Sequence, residues 1–190
     1  MHLQHFGDSF DVVKQSVLRW LSPFGNWAVH PMLTGEASPA ALCQFEAFLH
    51  ARIISHEVLR AETDRAAYFA PCNTEGNLLL DPTTGIQCGT VPVRRRPDYL
   101  FARELEQLVK VRPGSLTIAY DQSLPRGSER KAAEGKLLRF ASSGVLAFAY
   151  ISHACFIVAA NEQPLLERAH RTFLQKSSLP SARLASVGAV

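Results

Sequence analysis

The chain alternates between segments whose apolar residues recur every three to four positions and short runs that are apolar throughout. "DSFDVVKQSVLRWL" is of the first kind. Val12, Val13, Val17, Leu18 and Leu21 share one helical face, Asp8 or Ser9 stands where a cap belongs, and Asp11 falls in the first turn, where negative charge suits the helix dipole. Pro23 and Gly25 end that helix. "SPAALCQFEAFLHA" repeats the pattern, with Ser38 as cap, Pro39 at the first helical position and Leu42, Phe45, Phe48 and Leu49 on the core face. "SHEVLRAETDRAAYFA" predicts one or two short helices divided near Thr63, and "DYLFARELEQLVKV", "SERKAAEGKLLRFASSG" and "EQPLLERAHRTFLQKS" predict three more. Of the second kind are "NWAVHPMLTG", "RII", "NLLLD" and "SLTIAYD", which read as strands. "VLAFAYISHACFIVAA" is two apolar runs broken at Ser152 and His153, the pattern of a hairpin. Between Pro82 and Pro97 the composition turns to Gly, Pro, Thr and Arg and predicts a long loop, a feature often functional inside a compact domain.

Fully apolar strands alternating with amphipathic helices predict an α/β fold: a three-layer Rossmann-like sandwich whose mainly parallel sheet is covered on both faces and carries a late antiparallel hairpin. A single domain is expected over residues 1–180, with residues 181–190 as a loosely held tail. At 190 residues, 47% hydrophobic and 19% charged, the chain has the means to build a sizeable core. No apolar run reaches the roughly 18 residues of a spanning helix, and "MHLQHFGDSFDVVK" has neither the basic start nor the apolar core of a secretory signal. A cytoplasmic protein without a membrane partner is therefore expected. Cys43, Cys72, Cys88 and Cys155 form no CxxC spacing, and buried thiols are expected; a pair between Cys72 and Cys88 stays open, though a cytosolic setting disfavours it.

The net charge of +3 is modest, but the cations cluster. Arg94, Arg95 and Arg96 adjoin one another, and Arg126, Arg130 and Lys131 make a second group; either suits a phosphate backbone or a nucleotide.

Ligands of open α/β sheets bind outside the carboxyl ends of the strands. Asp81 and Asp121 each leave an apolar strand and open a polar loop. Two carboxylates on one rim would hold a divalent cation such as Mg²⁺ and activate water, or one would serve as a general base; singly, each would cap a turn. Asp8, Asp11 and Lys14 stand at a helix start that would face a ligand, or else form a cap and a surface ion pair between Asp11 and Lys14. His153 is a candidate acid, base or metal ligand, or a structural histidine. Gln122 and Ser123 suit a base edge or a sugar, and Arg95 and Arg126 suit phosphate. The chain has no GxGxxG, Walker lysine loop, HExxH or GxSxG elbow.

"GDSFDVVKQSVLRWL", "NLLLDPTTG" and the hairpin "VLAFAYISHACFIVAA" resemble, in that order, the N-terminal segment, the adenine-site turn and the closing antiparallel pair of the bacterial ribosomal-RNA adenine-N6 methyltransferases. The resemblance implies a Rossmann-like fold, S-adenosylmethionine as cofactor and a nucleic-acid substrate. Asp81 and Pro82 are followed by Thr83 and Thr84 where that family has a second proline and a stacking aromatic, and the turn after the first strand has one glycine, Gly35. The segments GDS-D-VK, LDP-TG, DQS and SH-CF also resemble a family of small bacterial proteins, a likeness that implies no activity. The expected function is an enzyme of methyltransferase-like architecture acting on a nucleic acid or nucleotide, by metal-dependent hydrolysis if the aspartates bind Mg²⁺. The alternative is a non-catalytic module of the same fold that binds nucleic acid or a protein.

Overall fold

The computed structural model describes residues 6–187. Its main sheet has seven strands: β1 (Trp27–His30), β2 (Arg52–Ile53), β3 (Asn77–Leu80), β6 (Thr117–Asp121), β7 (Leu146–Ile151), β8 (Cys155–Ala160) and β9 (Leu184–Ser186). They lie in the order β2-β1-β3-β6-β8-β7-β9. The first four are mutually parallel. The chain then skips one place to lay down β7 and returns through β8, antiparallel to both β6 and β7, to fill the gap. β4 (Gly85–Gln87) and β5 (Tyr99–Phe101) form a separate parallel pair. The sheet is thus mostly parallel with a late antiparallel hairpin, and helices cover both faces.

Strand periodicity divides the core into two layers. One face carries Val29, Leu79, Ile118, Tyr120, Phe148, Tyr150, Phe156 and Val158. It is covered by α1 (Ser9–Trp20), α2 (Pro39–Leu49) and α6 (Gln163–Ser177), through Val17, Leu18, Phe45, Leu49, Leu166 and Phe173. The other face carries smaller residues, Ala28, Leu78, Leu80, Ala119, Ala147, Ala149 and Ala159. Against it lie α3 (Arg65–Phe69), α4 (Ala102–Lys110) and α5 (Glu129–Ser142), through Tyr68, Leu105, Leu108, Leu137 and Phe140.

Five expectations change. "DYLF" is not α-helical: Tyr99–Phe101 is β5, and α4 begins at Ala102. "SHEVLR" is not helical: Val58 forms a parallel bridge with Leu33, and the helix waits for Asp64, whose side chain caps α3 by accepting from the Ala66 and Ala67 N–H groups. The stretch from Pro82 to Pro97 is only partly loop, since it holds β4 and most of a 3₁₀ turn over Val93–Asp98. The tail supplies β9, paired to the outer edge of β7, where its backbone groups gain partners that a loose tail would lack; residues 188–190 lie outside the described residues. Cys43 is exposed, because α2 buries Leu42, Phe45 and Leu49 instead, whereas Cys72 and Cys155 are buried; all four thiols are free. No described helix is long and apolar enough to cross a membrane.

Candidate functional site

In a doubly wound sheet the chain crosses from one side of its first strand to the other, and the crevice that this leaves at the strand C-termini is where ligands bind. Here β2 lies on one side of β1 and β3 on the other, so the switch falls between the ends of β1 and β3. The backbone N–H of Asp81 donates to the His30 carbonyl (3.0 Å), which joins the two strand ends, and the Thr34 and Thr83 hydroxyls meet beyond them at 3.1 Å.

The core stripe of α1, made by Val17, Leu18 and Leu21, continues one turn back into Lys14 and Asp11, and both are buried. Lys14 Nζ donates to Asp11 Oδ1 (2.9 Å) and to Asp81 Oδ2 (2.8 Å), and it lies 4.5 Å from the centre of the Tyr120 ring. Asp11 Oδ2 accepts the Gly7 N–H at 2.9 Å. Asp8 caps the helix through the Phe10 and Asp11 N–H groups. Lys14, Asp11 and Asp81 are 4%, 3% and 1% exposed, so water screens none of these charges. Every carboxylate oxygen of the trio has a donor except Asp81 Oδ1, which has none among the described residues.

Two carboxylates sharing one ammonium leave one negative charge uncompensated. Burial pushes the Asp81 carboxyl above the usual carboxylate range, against the pull of Lys14. For Lys14, burial alone would lower the pKa, but the charges of Asp81 and then Asp11 hold the ammonium above its ordinary value. The trio therefore keeps its cation fixed, and its mobile proton belongs to a carboxyl group.

Asp121 is built differently. Strand alternation turns it to the opposite face, where α5 lies. Its Oδ1 accepts from the Ile86 N–H (3.1 Å), the Ser123 N–H (2.9 Å) and the Ser123 hydroxyl (2.6 Å), and its Oδ2 pairs with Lys136 Nζ at 2.6 Å. Lys136 also donates to the Ile86 carbonyl and the Ser123 hydroxyl. Gly85 makes this approach possible: at φ +135° a Cβ there would lie 2.1 Å from Asp121 Oδ1 and 2.9 Å from Asp121 Cα. The cluster is a saturated clip that pins β4 to the end of β6.

The paired-carboxylate metal site is accordingly not formed. Asp81 and Asp121 leave opposite faces of the sheet, each toward its own lysine, and no cluster of three or more His, Cys, Asp or Glu groups stands ready for a metal among the described residues. Ser123, expected to meet a ligand, is spent inside the clip.

The rest of the predicted site lies farther along the rim. Gln122, Arg126 and His153 line a cavity of about 160 Å³ together with Phe10, Asp121 and Ser152. Gln122 Nε2 donates to the Tyr120 hydroxyl, whose pKa burial raises, so the phenol stays protonated. His153 is exposed at the hairpin turn, with its ring 4.5 Å from that of Phe10. Ser152 closes the turn through Ala154. Arg95 sits elsewhere, on the 3₁₀ turn before β5, paired with Asp98 at 3.3 Å.

Sequence reading missed Tyr120, Lys136 and Gly85. Lys136 had a signal: it flanks the buried stripe of α5 formed by Ala133, Leu137 and Phe140 and is itself largely shielded, a position where an unpaired lysine is costly. Lys14 stands within such a stripe, with Val17 and Leu18 in α1. A lysine in or beside a helical core stripe announces a buried carboxylate.

The chain matches no protein-family model, no curated protein sequence and no solved structure.

Proposed function

We propose that the protein is an enzyme that moves a proton on a nucleotide or nucleic-acid substrate, with Asp81 as the proton-carrying group. The observation that carries this reading is Asp81 Oδ1: a buried carboxylate oxygen at the sheet's switch point, without a donor among the described residues, beside an ammonium that cannot give up its proton at neutral pH. General acid–base catalysis wants a group whose proton affinity is drawn toward the working pH, and burial draws Asp81 that way. Lys14 and Asp11 would position it and take no part in the transfer. What favours a nucleotide is the adjoining rim: the Phe10 and His153 rings offer a surface on which a base stacks, Gln122 offers a donor and acceptor for its edge, and Arg126 offers a cation for phosphate. A methyl-donor nucleoside is less favoured, because the turn after β1 is filled by Met32 and Leu33, both buried, where such a ligand needs close backbone approach.

One observation favours the non-catalytic alternative: all three groups of the trio are at most 4% exposed, as suits an ion-pair anchor that seats α1 on the sheet. Thermal-shift titration with nucleoside phosphates, S-adenosylmethionine and short RNA and DNA strands, followed by a search for turnover of whatever binds, separates the two. The enzyme reading expects a ligand whose turnover is lost in Asp81→Asn. Binding without turnover supports a nucleic-acid-binding module, and silence from every compound rejects the enzyme and leaves a module that binds a protein.

A further inference from the structure

The arginine cluster expected to meet phosphate lies away from the Asp81 rim and builds a groove of its own. Its walls are the segment after β4 (Gln87, Cys88, Thr90, Val91), the 3₁₀ turn (Val93, Arg96), the β5–α4 junction (Phe101, Arg103) and Arg139 of α5, around a volume of about 480 Å³. No carboxylate is among the lining residues. Arg139 is paired with Glu106 at 3.3 Å.

Three guanidinium groups surround one ring. Arg65, Arg96 and Arg103 lie 4.8, 5.7 and 5.9 Å from the centre of Phe101. Arg65 is committed: it holds both oxygens of Glu104, at 2.5 and 2.7 Å, and donates to the Tyr99 and Arg96 carbonyls. That network fixes the backbone from which Arg96 and Arg103 extend. Neither of these two has an acidic partner among the described residues, so two guanidinium groups face a groove that no carboxylate lines, while Glu104 and Glu106 are held by Arg65 and Arg139. Burial raises the pKa of the neighbouring Cys88 thiol, so it stays protonated and adds no negative charge. Val93, 62% exposed, and Val91 give the groove an apolar side.

We infer that this groove is a phosphate-binding site that takes the phosphate of a nucleotide, free or within a nucleic-acid strand, on Arg96 and Arg103, with the sugar or base against Val91 and Val93. Planar arginine forks suit phosphate oxygens, and the guanidinium groups are held ready by cation–π contact with Phe101. Phosphate binding here requires nothing of Asp81, so Asp81→Asn keeps it.

The test is titration of the full chain with inorganic phosphate, adenosine monophosphate and a single-stranded 12-mer, over a range of salt, for the parent and for Arg96→Ala/Arg103→Ala. A control, Arg171→Ala/Lys176→Ala, removes the same charge from α6 on the other face of the sheet. The groove variant should bind at least about tenfold more weakly while the control stays near the parent. For the strand, its log–log salt slope should fall by about 0.7, as the loss of one neutralised phosphate requires. Preference for the 12-mer identifies a strand, and equal binding of the monophosphate identifies a nucleotide. Absence of binding by all three probes, or equal weakening in the groove variant and the control, overturns the assignment. Arg103→Ala alone, at an exposed position, repeats the test if the double variant proves unstable.

Discussion

Replacing Lys14 by methionine keeps most of the length and the apolar stem of the side chain and removes the ammonium group with its charge and its two hydrogen bonds. The parent holds that charge between Asp11 and Asp81 at 2.9 and 2.8 Å, out of water. Taking one partner from a buried ion pair costs about 3–5 kcal/mol. Proton uptake gives an independent figure. If the variant neutralises Asp81 at pH 7, it holds a proton that the unfolded chain, with a pKa of 3.8, has released. Holding it across that interval costs about 4 kcal/mol, at about 1.4 kcal/mol per pH unit. The two figures agree, and they correspond to a fall in melting temperature of about 6–20 °C. The sign follows from the direction of the shift. A carboxyl whose folded pKa lies above its unfolded value stabilises fully below the unfolded pKa, and that contribution is lost as pH rises through the folded pKa. The deficit of Lys14→Met should therefore shrink as pH falls from 7 toward 4, by up to about 1.4 kcal/mol per unit. Urea unfolding of parent and variant at pH 7, 6 and 5 measures this, and adding Asp81→Asn to Lys14→Met should restore part of the loss at pH 7. A deficit under about 1 kcal/mol that does not change with pH would mean that Lys14 is not the counter-ion of a buried carboxylate.

Gly85→Ala forces a Cβ against the Asp121 side chain and backbone at a φ of +135°, and should cost at least about 2 kcal/mol in urea unfolding. Gly85→Ser carries the same Cβ and should be no better tolerated; a loss below about 0.5 kcal/mol in both would mean that the clip does not hold β4. His30, buried with Nε2 donating to the Tyr68 carbonyl and Nδ1 accepting the Met32 N–H, has its pKa lowered by burial from 6.5 to about 4. Its neutral form should contribute about 3 kcal/mol above pH 6.5, lost as pH falls toward 4 because the unfolded chain takes up the proton first. Stability of His30→Gln measured over the same range should lack that acid limb, while Asp81, shifted upward, works in the opposite direction.

The layers were legible because strands buried on both faces read as unbroken apolar runs, and "NLLL", "TIAY" and "CFIVAA" are such runs. β4, β5 and β9 were not, since each is a three-residue strand whose pairing depends on a distant partner. Asp81 was visible as a carboxylate closing a strand, but its pairing with Lys14 is a contact across 67 positions that no local pattern encodes. The expected union of Asp81 with Asp121 failed through a parity that becomes visible only in register. Leu80 pairs with Ala119, so Asp81 stands level with Tyr120, and Asp121, one residue on, points the other way. His153 was legible as the break in an apolar hairpin, and it stands there, exposed in the turn with its ring against Phe10.

The most direct measurement takes the first nucleotide or oligonucleotide found to bind and react, and compares its turnover and its dissociation constant between the parent and Asp81→Asn. The amide keeps an acceptor near Lys14 but carries no transferable proton. A proton-carrying Asp81 requires turnover to fall by about 10²–10⁴-fold while the dissociation constant changes by less than about threefold. Undiminished turnover in a folded Asp81→Asn protein would contradict the account.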